Sequence, residues 1–465
     1  MKSRCFSVKL KRTDTESHRE DTRGHGDDNI MKIVYLITGS GGSFYCGNCY
    51  RDMLYVKAIR LVPGINATAI PLYLPPDRSV TDKEFDRHVF FGAISMYLRE
   101  KVPLFKKMPA FLDKILDAGP MLKIAAHRAG TTRTEGLEDL TLNMIKGDNA
   151  YRVKEIDRLV RYLVKDGKPD IIHLSNALII GLAHQLKKRM KVNIVCSLLN
   201  EDDWIEEMIE PYRSDAWKMI AREAVHVDTF ITPSLYYKNL FTKLTGLRGN
   251  NIYVVPLGIL TGSENTVREN IHSPSIGYFS RISRLNGFDK IVDAFLKLKS
   301  ENSIPDLTLH VCGGYTGDDK PFISEQIRKI KNRGLNNFVK VYPEFKFNAR
   351  QEFFNNIDVM SVPVRKYDGY GLYILEANAA GVPVAQPATG AFPEIVEKTQ
   401  GGIIYSPDTV SALSSALLTL FTNKETQVQL GKNGSKSVRE EFSLDKMSVG
   451  LSEVYNKTIN NASNQ

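Results

Sequence analysis

At 465 residues, 42% of them hydrophobic and 25% charged, the chain has the composition of an ordinary globular protein with material for two cores. Five cysteines in that length argue against a disulfide framework and fit a reducing, cytoplasmic compartment. A formal net charge of +9 favours anionic partners such as phosphates, nucleotides or a membrane surface, although a basic surface kept for solubility has the same charge; no basic stripe interleaved with aromatics points to nucleic acid.

Residues 1–30 are polar and charged, without the apolar centre of a secretory signal, and are expected to be a disordered tail. Met31 opens the apolar run "MKIVYLI" and is a candidate start codon. From there, short apolar β-branched runs alternate with amphipathic segments. The first series of strands is "KIVYLIT", "NATAIPLYL", "DIIHLS", "NIVCSLL", "DTFITPS" and "IYVVPLG", and it predicts an N-terminal α/β domain over 31–257. Residues about 95–150 interrupt the alternation with Lys and Arg mixed among Phe, Leu and Met. They read as an amphipathic helical insertion, either a buried structural insert or a basic contact with a membrane surface or lipid acceptor.

Residues 258–274 are polar and aperiodic and are expected to be a linker. A second series, "SIGYFSR", "LTLHVCGG", "FVKVYPEF", "IDVMSVPV", "VPVAQP" and "GIIYSP", predicts a second domain over 275–440. Between its first strands, Ile291, Ala294, Phe295 and Leu298 fall on one helical face. Residues 441–465 read as a last helix capped by Ser443 and packed back on the first domain, with a frayed end from "NNASNQ". Two parallel sheets, each covered on both faces, define a doubly wound α/β architecture with a cleft between the domains. No apolar run reaches the roughly 18 residues a membrane-spanning helix needs.

The stretch "RKYDGYGLYILEANAAGVPVAQPATGAFPEIV", residues 365–396, follows a strand. Gly369 and Gly371 bracket a turn that feeds a helix ending near Gly381 and Pro383. Such a helix start presents unpaired N–H groups and the positive end of the dipole, suited to a diphosphate. Asp368 before the helix and Glu376 within it can reach different parts of one ligand, and a carboxylate can accept from both hydroxyls of a ribose.

This stretch, "DGYGLYILEANAAGVPV", resembles the family-4 type glycosyltransferases of GT-B fold, whose pattern has two glutamates separated by seven residues. The resemblance implies two Rossmann-like domains, a nucleoside diphosphate sugar as donor, a hydroxyl acceptor and retention of configuration. It carries the ribose role to Glu376 and a place near the transferred sugar to Asp368, which stands where the family has glutamate. It gives Tyr370, Gly371 and Leu372 phosphate contacts through their amides. "IGYFSRISRLNGFDKIVDAF", residues 276–295, resembles the segment in which an arginine and a lysine neutralise the diphosphate. Arg281 matches the arginine; Asn286 stands at the lysine, with Arg284 nearby.

Near the first strand, "TGSGGS" places Gly41 and Gly42 where the family has a glycine loop facing donor and acceptor. "YCGNCYRDM", "FFGAISMYL" and "HLSNALIIGLA" resemble a bacterial subgroup of the family. Cys46 and Cys49 form C-x-x-C, readable as loop structure, a redox element or metal ligands; without a second pair they do not make a zinc site. His173 ends its strand facing the expected cleft. Glu201, Asp202 and Asp203 follow a strand at its C-terminal end and are candidate acceptor contacts. Glu394 is a candidate sugar contact or helix cap. No cofactor or metal is expected. Two rivals stay open: a catalytically weak or inactive nucleotide- or glycan-binding relative, motivated by Asp368 and Asn286, and a redox protein using the cysteine pair.

Overall fold

All twelve predicted strands form, because apolar runs flanked by glycine and polar turns bury on both faces of parallel sheets. The computed structural model describes residues 30–38, 45, 47–73, 134–147, 150–165, 167–260, 273–343, 345, 347–366 and 368–463. Strands β1 (Met31–Ile37), β2 (Ile65–Pro71), β3 (Ile171–Leu174), β4 (Asn193–Ser197), β5 (Thr229–Thr232) and β6 (Ile252–Val254) make one parallel sheet in the order β2-β1-β3-β4-β5-β6. Strands β7 (Ser275–Phe279), β8 (Thr308–Cys312), β9 (Val339–Val341), β10 (Val359–Met360), β11 (Val384–Pro387) and β12 (Gly402–Tyr405) make a second, ordered β12-β11-β10-β7-β8-β9. Every residue of β3, β5 and β7 is buried.

Helices cover the faces. In the helix Phe288–Ser300 the buried set includes Ile291, Ala294, Phe295 and Leu298, the face read from the spacing. Burial of each large side chain there contributes roughly 1.5–3 kcal/mol. Residues 31–465 make one compact unit. The last helix runs Leu444–Ser463, with Ser443 Oγ accepting from Lys446 N at 3.3 Å. It lies against the helix Gly47–Ile59 of the first half. There Tyr455 meets His173 and Thr458 meets Thr229. The fraying expected from residue 460 is therefore corrected: the helix continues to Ser463.

Part of the expected linker, 261–272, lies outside the described residues. So do Gly41, Gly42, Cys46 and the expected insertion up to residue 133. The insertion's described end is helical: the helix Glu138–Lys146 lies beside the helix Tyr212–Glu223. Among the described residues no helix is long and apolar enough to cross a membrane.

Candidate active site

Each sheet has a topological switch point, between β1 and β3 in the first and between β7 and β10 in the second. Loops leaving the carboxyl ends of strands at such points diverge and leave a crevice. A cavity of about 360 Å³ lies there, lined by loops from both sheets. The second half contributes Ser280, Arg281 and Asn286 after β7, and Lys366, Asp368 and Tyr370 through Tyr373 after β10. The first half contributes Tyr45, Asn48, Asn200, Asp203, Trp204 and Glu207.

The turn after β10 is held by Asp368. Its Oδ1 accepts from the N–H groups of Tyr370 (2.9 Å) and Gly371 (2.8 Å), and its Oδ2 from Tyr373 Oη (3.0 Å). Burial pushes this carboxyl above the usual range, and those hydrogen bonds with one from Asn200 oppose the shift. Two amides expected to face the donor phosphates, those of Tyr370 and Gly371, are thus spent on Asp368. The helix Leu372–Ala379 starts one residue later. Its Leu372 and Tyr373 N–H groups have no partner among the described residues, so the amides open to the cavity lie one step further into the helix than the turn suggested. Gly371 takes φ 77°, which a side chain disfavours. Gly369 has a different reason: a Cβ there would meet Asn200 Oδ1 at 2.4 Å and Leu199 Cδ1 at 2.6 Å. The first half presses on it, and Gly369 N donates to Asn200 Oδ1 at 2.8 Å.

Arg281 lines the cavity with its guanidinium forked on Asp319 (Nε to Oδ2 2.9 Å, Nη2 to Oδ1 3.0 Å) and touching Thr316 Oγ1 at 3.1 Å. Asn286 also lines it but folds back, its Nδ2 donating to Ser280 Oγ (2.9 Å) and the Arg281 carbonyl (3.1 Å). Arg284 points elsewhere, 4.8 Å above the Phe322 ring.

Glu376 sits behind the cavity wall at 8% exposure. Its Oε1 accepts from Arg350 Nη1 at 2.6 Å and its Oε2 from Tyr45 Oη at 2.8 Å. Arg350 stacks on Tyr50 and Tyr45, 4.4 and 5.3 Å from the ring centres, and donates to the Phe345 carbonyl. Tyr45 comes from the first half, so Glu376 joins the two halves. No motif marked Arg350 in the sequence, and Tyr45, although it opens "YCGNCYRDM", carried no assigned role there.

Four further candidates, His173, Glu201, Asp202 and Glu394, stand apart from the cavity. His173 is fully buried, with Nδ1 2.7 Å from Tyr455 Oη and Nε2 2.7 Å from Ser197 Oγ. Burial, helped by Arg51, holds its pKa well below the ordinary value, so the ring is a neutral core group and not a residue facing the cleft. Its strand is buried on both faces, which closes the side on which a cleft was expected. Glu201 is likewise spent in the core: its Oε1 accepts from Ala177 N (2.9 Å) and its Oε2 from Tyr237 Oη (2.6 Å). Asp202 is buried beside it, and of the three acidic residues only Asp203 reaches the cavity. Glu394 accepts from the N–H groups of Leu235 (3.2 Å) and Tyr236 (3.1 Å), capping the helix Leu235–Thr245 of the opposite half. Its helix-cap reading holds, on a helix that sequence spacing could not identify.

Two parallel α/β sheets joined across a ligand-sized cavity define a GT-B fold. Residues 265–437 match the family model "Glycosyl transferases group 1", and residues 125–262 match "Glycosyltransferase Family 4". A lipopolysaccharide core biosynthesis mannosyltransferase, LpsB of Rhizobium meliloti (strain 1021), is 27% identical over 182 residues, 39% of this chain and 50% of that relative. A D-inositol 3-phosphate glycosyltransferase of Corynebacterium glutamicum (strain R) is 24% identical over 202 residues, 41% of this chain and 45% of that relative. The matches thus span about half the length of these curated relatives.

Among solved structures, sucrose-phosphate synthase from Thermosynechococcus elongatus aligns with TM-score 0.66 at 16% identity, covering 93% of this chain and 100% of that one. Anabaena Alr3699/HepE in complex with UDP-glucose aligns with TM-score 0.62 at 16% identity, covering 92% and 100%. These structural likenesses establish the fold. The chain belongs to the group 1, family 4 glycosyltransferases, and the redox alternative falls away with that membership.

Proposed function

We propose that the chain transfers a glycosyl unit from a nucleoside diphosphate sugar to a hydroxyl acceptor, with retention of configuration, in glycan or glycoconjugate synthesis. One observation carries the reading. At the switch point of the second sheet, the start of the helix Leu372–Ala379 and the Arg281 guanidinium face one cavity. An N–H-bearing helix start and a fixed cation suit a diphosphate leaving group, on which charge grows as the glycosidic bond breaks. The bond from the sugar C1 to the phosphate oxygen breaks, the bond from C1 to the acceptor oxygen forms, and the acceptor proton passes to the departing phosphate. Retention and this front-face course rest on family resemblance.

In this reading residues 275–440 hold the donor, and the first half supplies the acceptor wall through Asn48, Asp203, Trp204 and Glu207. The acceptor is a glycan, lipid-linked or small hydroxyl compound. Work at the inner face of a membrane, through the basic insertion, fits the charge of +9. Incubation of the purified protein with UDP-, GDP- and ADP-sugars, with and without sugar acceptors, tests the proposal: release of nucleoside diphosphate supports it. Donor binding without hydrolysis or transfer favours a second reading, a non-catalytic binder. That reading draws on Asp368 spent on its own turn and on Asn286, which lines the cavity with its amide turned back on Ser280 and the Arg281 carbonyl.

A further inference from the structure

Given a diphosphate donor in this cavity, the charge balance there is unfinished. The described lining residues carry three carboxylates, Asp203, Glu207 and Asp368, and two cations, Arg281 and Lys366. A diphosphate adds more negative charge to that set. Arg281 is already compensated: its Nε and Nη2 are forked on Asp319, and its side chain is only 14% exposed. It acts as a fixed dipole-like contact more than as a surplus charge.

Lys366 differs in every respect. It leaves the loop between β10 and Asp368, its side chain is 40% exposed, and its one ion pair among the described residues, with Glu207 Oε1, spans 3.8 Å. That distance is too long for a hydrogen bond, and a half-exposed pair of this kind contributes ~0–1 kcal/mol. Lys366 can therefore leave Glu207 at little cost. Its four-carbon stem is flexible, and its ammonium offers three donors. Asn286 lines the same cavity with its amide turned back on Ser280 and on the Arg281 carbonyl, so it brings no charge.

We propose that Lys366 is the mobile cation that neutralises the donor diphosphate, exchanging its resting partner Glu207 for a phosphate oxygen when the nucleotide enters. Because Glu207 belongs to the first half and Lys366 to the second, donor entry also releases a carboxylate into the acceptor wall. The assignment rests on the donor reading above and goes beyond it by naming the residue that makes up the charge.

The test is calorimetric titration of UDP, GDP, ADP and inorganic pyrophosphate into wild type, Lys366→Ala, Glu207→Gln and the double variant Asn286→Lys with Lys366→Ala. The matching nucleosides without phosphate serve as the control. Lys366→Ala should weaken the nucleoside diphosphate that binds wild type roughly tenfold, the size of one lost charge-assisted hydrogen bond. Nucleoside binding and the apo melting temperature should stay unchanged. Asn286→Lys should restore the lost affinity by placing an ammonium on the same wall, and Glu207→Gln should tighten binding by freeing Lys366. Equal affinity of wild type and Lys366→Ala would overturn the assignment and leave the donor reading standing. Equal losses for nucleoside and nucleoside diphosphate would overturn it too, since the effect would then be on shape and not on charge. A wild type that binds no diphosphate at all overturns both.

Discussion

Arg350 and Glu376 form a buried ion pair, 2.6 Å between Nη1 and Oε1, with side chains 7% and 8% exposed. The carboxylate expected to meet a donor ribose is therefore held by a cation and by Tyr45. Removing one partner of such a pair strands the other's charge in a dry environment. Arg350→Ala is expected to cost about 3 kcal/mol, read as a lower midpoint in urea unfolding. Arg350→Met combined with Glu376→Gln should recover most of it. An Arg350→Ala variant as stable as wild type would show that the pair is not buried in solution.

Asp368 organises the turn before the helix Leu372–Ala379, accepting from Tyr370 N, Gly371 N and Tyr373 Oη. Asp368→Ala should destabilise by at least ~1 kcal/mol, the cost of leaving the Tyr370 and Gly371 amides of the turn without their acceptor. It should also weaken nucleoside diphosphate binding, because the backbone of 370–373 loses its fixed course. Asp368→Asn keeps acceptor capacity and should fall between the two. Asp368→Glu restores the family's residue type but adds a methylene to a turn built on 2.8 and 2.9 Å contacts, so it too should bind more weakly than wild type. Titration of the same diphosphate into all four proteins checks the order.

Gly369 is one point of close contact between the halves. Gly369→Ala drives a Cβ into Asn200 and Leu199. Overpacking of this kind costs typically ~1–3 kcal/mol. The melting temperature should fall, and the Asn200 to Gly369 hydrogen bond should be lost. Trimming Asn200 to Ala in the same chain should relieve part of the damage, and no relief would mean that Leu199 and Tyr237 set the clash.

Glu394 provides a second bridge, from the 392–399 helix to the first turn of the 235–245 helix. Glu394→Ala should lower stability by about 1 kcal/mol. Its effect on diphosphate affinity should be small, since the residue does not line the cavity. A large loss of affinity at unchanged stability would return Glu394 to the donor site.

His173 makes a signed prediction with pH. Its folded pKa is depressed by burial, and its unfolded pKa is about 6.5. Below about pH 6.5 the unfolded chain takes up a proton that the folded chain refuses, so the stability contribution is present above that pH and is lost as pH falls. The stability difference between wild type and His173→Gln should therefore grow by up to about 1.4 kcal/mol per unit as pH rises toward 6.5, and then level off. A difference that is flat from pH 5 to 8 would contradict a neutral, buried ring.

The fold was legible because its signals are local. Runs such as "DIIHLS" and "SIGYFSR" have the length and β-branched content of strands buried on both faces, and their alternation with helical faces such as 291–298 points to parallel sheets. The turn at 368–371 was legible for the same reason: glycines, an acid and a helix start follow one another in sequence. Partnerships across the cleft were not. Tyr45 and Arg350 meet at Glu376 from positions far apart in the chain, and Asn200 explains Gly369 only once both halves are in place. His173 and Glu201 misled because residue type at a strand end does not reveal which face is closed. The last helix, through Tyr455, closes the one beneath His173.

The most direct test of the account is a thermal-shift series with UDP-, GDP- and ADP-sugars on the wild-type protein and Glu376→Ala. A donor present at about 100 times its Kd stabilises the native state by ~2.7 kcal/mol, so at least one sugar nucleotide should raise the melting temperature of wild type, and Glu376→Ala should lose that rise. No shift with any of the three donor classes would contradict a nucleotide-sugar site in this cavity. A shift that survives in Glu376→Ala would show that the Arg350–Glu376 pair behind the wall does not support donor binding.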